Sequence, residues 1–258
     1  MSFIKFKVNG SEFVLTSCKK NIINGIILQS RLRYKGENKM STKMGKCIVI
    51  GAGDLTVGQI AVGEEDFVIA VDGGLSYCGI LQIEPDMIVG DFDSVSEEAA
   101  SAVCELEKSI PDRIVRLPVE KDDTDMLAAL KLGLEKGYRD FRIYAGMGGR
   151  FDHSYANIQC LLFLKNQGAV GYLVDGEGLI LLIQEEEITF REGMEGYISL
   201  LALGGDATGV TIKGLKYTLQ DAVIRSDFPL GISNEFIGRE ATVTVKKGCL
   251  ACIISYAV

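Results

Sequence analysis

From Lys46 onward, short β-rich runs end in Gly or Asp and give way to stretches of helical periodicity, which leaves this chain few architectures. Residues 47–50 end at Gly51-Ala52-Gly53, residues 67–71 at Asp72-Gly73-Gly74, and residues 87–89 at Gly90-Asp91. Residues 113–117 lead to Lys121-Asp122-Asp123, and residues 141–144 end at Gly146-Met147-Gly148-Gly149. Between them, residues 97–108, 124–136 and 153–166 have helical spacing, and Met126, Leu127, Leu130, Leu132 and Leu134 form a broad apolar face. Continuous apolar strands with crossover helices predict an α/β fold: a mostly parallel sheet with helices on both faces. Open sheets of this kind bind ligands outside the carboxyl ends of their strands. One Gly or Asp there is an ordinary loop or cap residue; five successive loops of that composition mark an edge made for a ligand.

After Gln184-Glu185-Glu186-Glu187 the pattern changes to alternating, β-branched segments with Gly-rich turns. The expected organisation is an α/β domain over 44–184 and a small all-β sandwich over 185–258, with the Glu run as a solvated link. Residues 1–43 carry nine Lys or Arg against two Glu, a net +7 that leaves −15 on the remainder of a chain whose total is −8. They lack the layout of a secretory signal and are expected to be an extension of unclear role. Met40 and Met44 just before the first strand are compatible with a later start. A small hairpin over 3–15, turning at Asn9-Gly10, is the alternative.

The overall charge argues against nucleic acid as the main partner, and no apolar stretch approaches the roughly 18 residues of a membrane span. Seven cysteines are scattered, odd in number and mostly in apolar runs. They form no disulfide framework, which fits a reducing cytoplasm. Cys249 and Cys252 have C-x-x-C spacing but lie in a strand-like run, where residues three apart point to opposite faces.

Five carboxylates in two short clusters carry the chemistry: Asp91 and Asp93, then Asp122, Asp123 and Asp125. Crowded aspartates cost stability unless a cation or hydrogen-bond donors neutralise them. Hard divalent ions take oxygen ligands, and Mg²⁺ typically takes one or two carboxylates plus substrate phosphates. In an extended segment Asp91 and Asp93 share a face and could contact one metal; Ser94 suits a helix N-cap. Asp123 or Thr124 would cap the next helix, whose first-turn Asp125 could complete the site while Lys121 meets a phosphate. In Gly148-Gly149-Arg150-Phe151-Asp152-His153, the glycines permit close backbone approach and Arg150 offers a planar fork for phosphate oxygens. His153, the one histidine of the chain, and Asn157 are spaced to share a helix face. No P-loop occurs, and Thr56 stands where a dinucleotide fingerprint after Gly51-Ala52-Gly53 needs its third glycine.

Taken in order, Asp72-Gly73-Gly74, Gly90-Asp91-Phe92-Asp93-Ser94, Lys121-Asp122-x-Thr124-Asp125 and Gly148-Gly149-Arg150-x-Asp152-His153 with Asn157 resemble the thiamine pyrophosphokinase family. The resemblance runs from Lys46 to about Val258 and includes Gly214-Leu215-Lys216-Tyr217 and Ser233-Asn234-Glu235. It implies a nucleotide-binding α/β domain followed by a β-sandwich, a homodimer with thiamine near the subunit interface, and transfer of a diphosphoryl group from ATP to thiamine with Mg²⁺. It further implies that Asp91, Asp93 and Asp125 hold the metal and triphosphate. Asp72, Arg150 and Asp152 would line the nucleotide and phosphate side, and Tyr217, Ser233 and Asn234 the thiamine side. Tyr217 stands where some relatives carry Trp, and Lys121 where some carry Gln. Two other readings remain open at this stage: a related diphosphokinase acting on a pterin or other alcohol, and a nucleotide-binding module without turnover. A phosphatase using Asp91-x-Asp93 would also need a later Lys and a further acidic pair.

Overall fold

The structure, a computed structural model, describes residues 3–8 and 11–16 by backbone, and residues 45–92, 107–120 and 122–256 in full. Strands β1 (Phe3–Val8) and β2 (Ser11–Thr16) pair antiparallel with Val8 opposite Ser11. That is the pairing a 3–15 hairpin requires; the Asn9-Gly10 turn lies outside the described residues, as does most of the helix expected over 97–108.

Six strands form the parallel part of the main sheet: β3 (Cys47–Ile50), β4 (Phe67–Val71), β5 (Met87–Gly90), β6 (Ile114–Arg116), β7 (Asp140–Tyr144) and β8 (Val170–Val174). Their spatial order is β8-β7-β3-β4-β5-β6. The chain therefore walks outward from β3 to β6 and then returns to lay β7 on the other side of β3. The strand order reverses between β3 and β7, the switch point beside which open α/β sheets bind ligands.

Helices α1 (Gly74–Leu81), α2 (Asp125–Glu135) and α3 (Phe151–Asn166) cover the two faces. Strand β3 is buried at all four positions, and its alternation sorts them. Cys47 and Val49 join a core with Met126, Leu130, Leu161 and Leu164 of α2 and α3, whereas Ile48 and Ile50 join one with Leu75 and Cys78 of α1. Helix α2 approaches closely because Gly133 has no side chain: a Cβ there would lie 2.6 Å from Phe141 Cε1 and 2.8 Å from Cys47 Sγ.

Beyond β8 the same sheet continues antiparallel through β9 (Gly178–Gln184). The tail adds β10 (Glu187–Phe190), β11 (Tyr197–Ala202), β12 (Ala207–Lys213), β13 (Leu219–Ile224), β14 (Gly231–Glu235), β15 (Ala241–Thr244) and β16 (Cys249–Ser255). Strands β16, β11 and β14 extend the main sheet in the order β9-β16-β11-β14, making it ten-stranded. The others form a four-stranded sheet, β10-β15-β12-β13, that packs over this extension. Leu181, Ile183, Leu200 and Cys252 meet Val210, Ile212, Ile224 and Val243 in the core of the resulting sandwich. The fold class is as expected, and one layer of the sandwich is the far end of the α/β sheet. Cys249 and Cys252 do face opposite ways, Cys249 toward the helix-side core and Cys252 into the sandwich. The five described cysteines are buried and free, and burial pushes the Cys249 thiol up to about 11. Among the described residues no helix is long and apolar enough to cross a membrane.

Leu130 of α2 is fully buried. Replacing it with Ala should cost about 2–5 kcal/mol, the cost of a large-to-small core change, read as a lower urea midpoint at unchanged slope.

Candidate active site

The carboxyl ends of β4 and β5 and the first turn of α2 bring Asp72, Asp91 and Asp125 together. One carboxylate oxygen from each lies within 4.8 Å of the other two, and all three residues are partly buried. At that spacing each like-charge pair repels by about 3 kcal/mol, taking an effective dielectric of about 20. A divalent cation reverses the sign of that sum, and an all-oxygen donor set suits a hard ion such as Mg²⁺. The residues present fit such an ion.

Local backbone geometry sets each carboxylate. Asp72 has φ +47° and donates its N–H to Val89 O at 3.0 Å. Phe92 follows Asp91 with φ +59°, so the chain turns sharply there, and its ring is buried. Arg116 holds the turn from the neighbouring strand. Its Nη1 donates to Asp91 O at 3.3 Å, its guanidinium lies 5.2 Å from the Phe92 ring centre, and its Nε donates to Glu107 at 2.8 Å. Sequence reasoning passed over Arg116, which stands outside every motif. Asp125 opens α2, where Thr124 Oγ1 accepts the Leu127 N–H at 3.2 Å as the N-cap.

The five sequence-selected carboxylates therefore part company. Asp91 and Asp125 converge, Asp123 pairs with Lys131 at 2.6 Å, and Asp122 is exposed. Asp93, Ser94 and Lys121 lie outside the described residues. Asp72, expected on the nucleotide side, sits inside the acidic cluster. Its position directly after the apolar run 67–71 was the available signal. Gly73 and Gly74 serve close packing: a Cβ on Gly74 would lie 2.1 Å from Ile50 O, and one on Gly73 would lie 3.3 Å from Ala52 Cβ.

The loop between β7 and α3 lies against the loop after β3, where Asp54 N–H donates to Met147 O at 2.7 Å. Gly148 has φ +87° and Gly149 φ +61°, and the Asp54 carboxylate fills the space a Gly148 side chain would need. The exposed Arg150 fork donates to both Asp152 oxygens, at 3.2 and 2.6 Å, and the His153 N–H adds a third bond at 3.0 Å. These bonds, Arg150 foremost, hold the Asp152 carboxyl below the usual range. His153 is exposed, while Asn157 one turn on is buried and donates from Nδ2 to Gly146 O at 2.6 Å. The Asn157 amide thus clamps the glycine loop.

On the sandwich, Asn234 accepts the Tyr217 N–H at 2.9 Å and donates to Tyr217 O at 2.7 Å, pinning a loop whose Tyr217 ring is exposed. Ser233, with φ +56°, donates its N–H to Ser199 Oγ at 3.0 Å. These three residues therefore gather at one place, on and beside β14, the outermost strand of the large sheet.

The fold and the cluster define an α/β protein that collects carboxylates at the carboxyl edge of a parallel sheet and extends that sheet into a sandwich. A family model described as "Thiamin pyrophosphokinase, catalytic domain" matches residues 59–171, and one described as "Thiamin pyrophosphokinase, vitamin B1 binding domain" matches 185–250. Thiamine pyrophosphokinase of Bacillus subtilis (strain 168) is 34% identical over 191 residues, covering 72% of this chain and 86% of that protein. The crystal structure of a Bacillus subtilis thiamine pyrophosphokinase superposes with a TM-score of 0.72 at 31% identity, over 83% of this chain and 100% of that one. One from Geobacillus thermodenitrificans gives 0.69 at 30%, over 83% and 98%. The chain belongs to the thiamine pyrophosphokinase family.

Arg150→Ala should let the Asp152 carboxyl rise toward the ordinary Asp range. The bond to Arg150 is present above the ordinary carboxylate pKa and is lost as pH falls through the lowered one. Carboxyl ¹³C titration of the variant against the parent reads the shift directly.

Proposed function

We propose that this chain is a thiamine diphosphokinase, forming thiamine diphosphate and AMP from thiamine and ATP. The observation that carries the reading is the pairing of the two matched regions: an acidic cluster in the first, and a second whose match names vitamin B1 binding. That second region also favours thiamine over a pterin or other alcohol as acceptor, and a catalytic set over a non-catalytic nucleotide-binding module.

In this reading residues 44–184 bind nucleotide, and residues 185–258 bind thiamine and mediate dimerisation. Asp72, Asp91 and Asp125, with Asp93, hold Mg²⁺, which when bound neutralises charge on the phosphate oxygens. The thiamine hydroxyl oxygen attacks the β-phosphorus, the bond from that phosphorus to the α–β bridging oxygen breaks, and AMP leaves with that oxygen. The hydroxyl proton passes to a carboxylate, Asp125 or Asp152. Diphosphoryl transfer needs positioning and charge neutralisation more than covalent help. Gly73, Gly74, Ser94, Lys121, Asp122, Thr124, Gly149, Arg150, His153 and Asn157 belong to the nucleotide and phosphate side, and Tyr217, Ser233 and Asn234 to thiamine. A cytoplasmic location suits the buried, free thiols.

Strand order favours a homodimer. Strand β14 is seven places from β4 in the sheet, which at about 4.8 Å per strand separates the Tyr217–Asn234 group from the acidic cluster by on the order of 30 Å. One small substrate cannot touch both within one protomer, so a second copy must supply the missing half. Leu230 and Ile232, beside and on this edge strand, and Tyr197 on the strand it pairs with are exposed apolar residues of the kind that interfaces cover.

Incubation with Mg-ATP, with and without thiamine, should give AMP and thiamine diphosphate in equal amounts and only when thiamine is present. AMP formed with a different alcohol would move the activity to a sister diphosphokinase, and no AMP at all would end the enzymatic reading. Asp91→Asn should lower turnover by roughly 100-fold or more, the scale of losing one preorganised electrostatic element. Mixing inactive Asp91→Asn and Tyr217→Ala proteins after subunit exchange should restore about a quarter of parent activity, as random pairing in a two-fold dimer predicts. No recovery in exchanged dimers would refute a site shared between protomers.

A further inference from the structure

Gly90 closes β5 and directly precedes Asp91, yet its main neighbour is the carboxylate of Asp72 on the next strand. A Cβ built on Gly90 would lie 2.0 Å from Asp72 Oδ1 and 3.0 Å from Asp72 Cγ, with Phe92 Cε1 at 3.2 Å. Contacts that short do not occur, so any side chain at 90 must displace the Asp72 carboxylate. Displacement has few directions open to it. Asp72 is a non-glycine residue in the left-handed region, its N–H is tied to Val89 O, and Phe92 is buried under the Arg116 guanidinium. The positive φ of Asp72 swings its side chain across toward β5, and the absent Cβ of Gly90 supplies the room it swings into. Glycine is needed here for space, since Gly90 is a strand residue outside the positive-φ set.

We propose that Gly90 is a positioning residue for the acidic cluster: it seats the Asp72 carboxylate at the distance from Asp91 and Asp125 at which the three can share one cation. This rests on the metal reading of that cluster. Gly90 touches neither substrate nor metal and acts through Asp72. Residues that orient metal ligands typically change metal affinity by about 10–100-fold when altered, and Gly90→Ala is expected to fall in that range.

The test uses Mn²⁺ binding to the full chain, followed by electron paramagnetic resonance without nucleotide or turnover, in the parent, Asp72→Ala, Gly90→Ala and the double variant. Gly90→Ala should weaken Mn²⁺ binding by about 10-fold or more. In the Asp72→Ala background, where the added methyl has no carboxylate to strike, the same change should cost little further, the non-additivity that marks action through a shared neighbour. Weakening by Gly90→Ala of equal size in both backgrounds, or none in either, overturns the proposal while leaving the metal site intact. If Asp72→Ala itself leaves Mn²⁺ binding unchanged, the metal reading fails instead and this inference with it. Should Gly90→Ala not fold, the double variant decides: recovery of a cooperative melt supports the clash with Asp72, and its continued failure to fold refutes it.

Discussion

Electrostatic repulsion among three carboxylates is the constraint around which the rest of this molecule is arranged. Left to themselves, Asp72, Asp91 and Asp125 would separate, and nothing in a flexible loop would stop them. They are held instead by parts that cannot move apart without breaking the sheet. Two sit at the ends of adjacent parallel strands, and the third opens a helix capped by Thr124 and seated on the same sheet where Gly133 meets Cys47 of β3 and Phe141 of β7. The buried apolar run of each strand fixes where the strand ends, and so fixes where the charge is delivered. The positive backbone angles at Asp72 and Phe92 are a local cost borne by a rigid surround, a usual arrangement at sites whose geometry is needed for chemistry.

The α/β layering was legible because its signal is periodic. Four consecutive buried residues in β3 leave no alternation to misread, and the helical spacing of Met126 and Leu130 places α2 to within a residue of its observed start. Cys249 and Cys252 lie in different cores, as C-x-x-C spacing in a strand requires. Which carboxylates would meet was less legible. Periodicity places residues along an element, whereas convergence depends on the spatial order of strands, and no local pattern encodes that β4 lies beside β5. The resemblance puts Asp72 on the nucleotide and phosphate side, and the structure brings it to Asp91 and Asp125, whereas Asp123 pairs with Lys131 two helical turns on. Arg116 gave no motif at all, and its work on Asp91 and Phe92 crosses from one strand to its neighbour.

The second half of the chain shows the same division. Alternation, Gly-rich turns and β-branched residues identify strands. Whether those strands form their own pair of sheets or extend an existing one depends on the partner that β16 chooses. It chooses β9, pairing from Cys249 opposite Gln184 to Ser255 opposite Gly178. Strands β9 and β16 thereby link the residues matched by the first family description, which reach β8, to those matched by the second through continuous backbone hydrogen bonding.

That pairing bears on how the molecule comes apart and how it could have been assembled over time. The two matched regions read along the sequence as successive modules, but β16, which begins at Cys249, pairs with β9, which ends at Gln184. The sandwich cannot close until β16 has been made, and neither region can be exchanged for another as an independent cassette. A cut between them would bare the whole of β9, apolar on both faces and with one side of its backbone unsatisfied, the kind of edge that recruits other chains. Unfolding should accordingly be a single cooperative event, and inheritance of the two regions should have been joint.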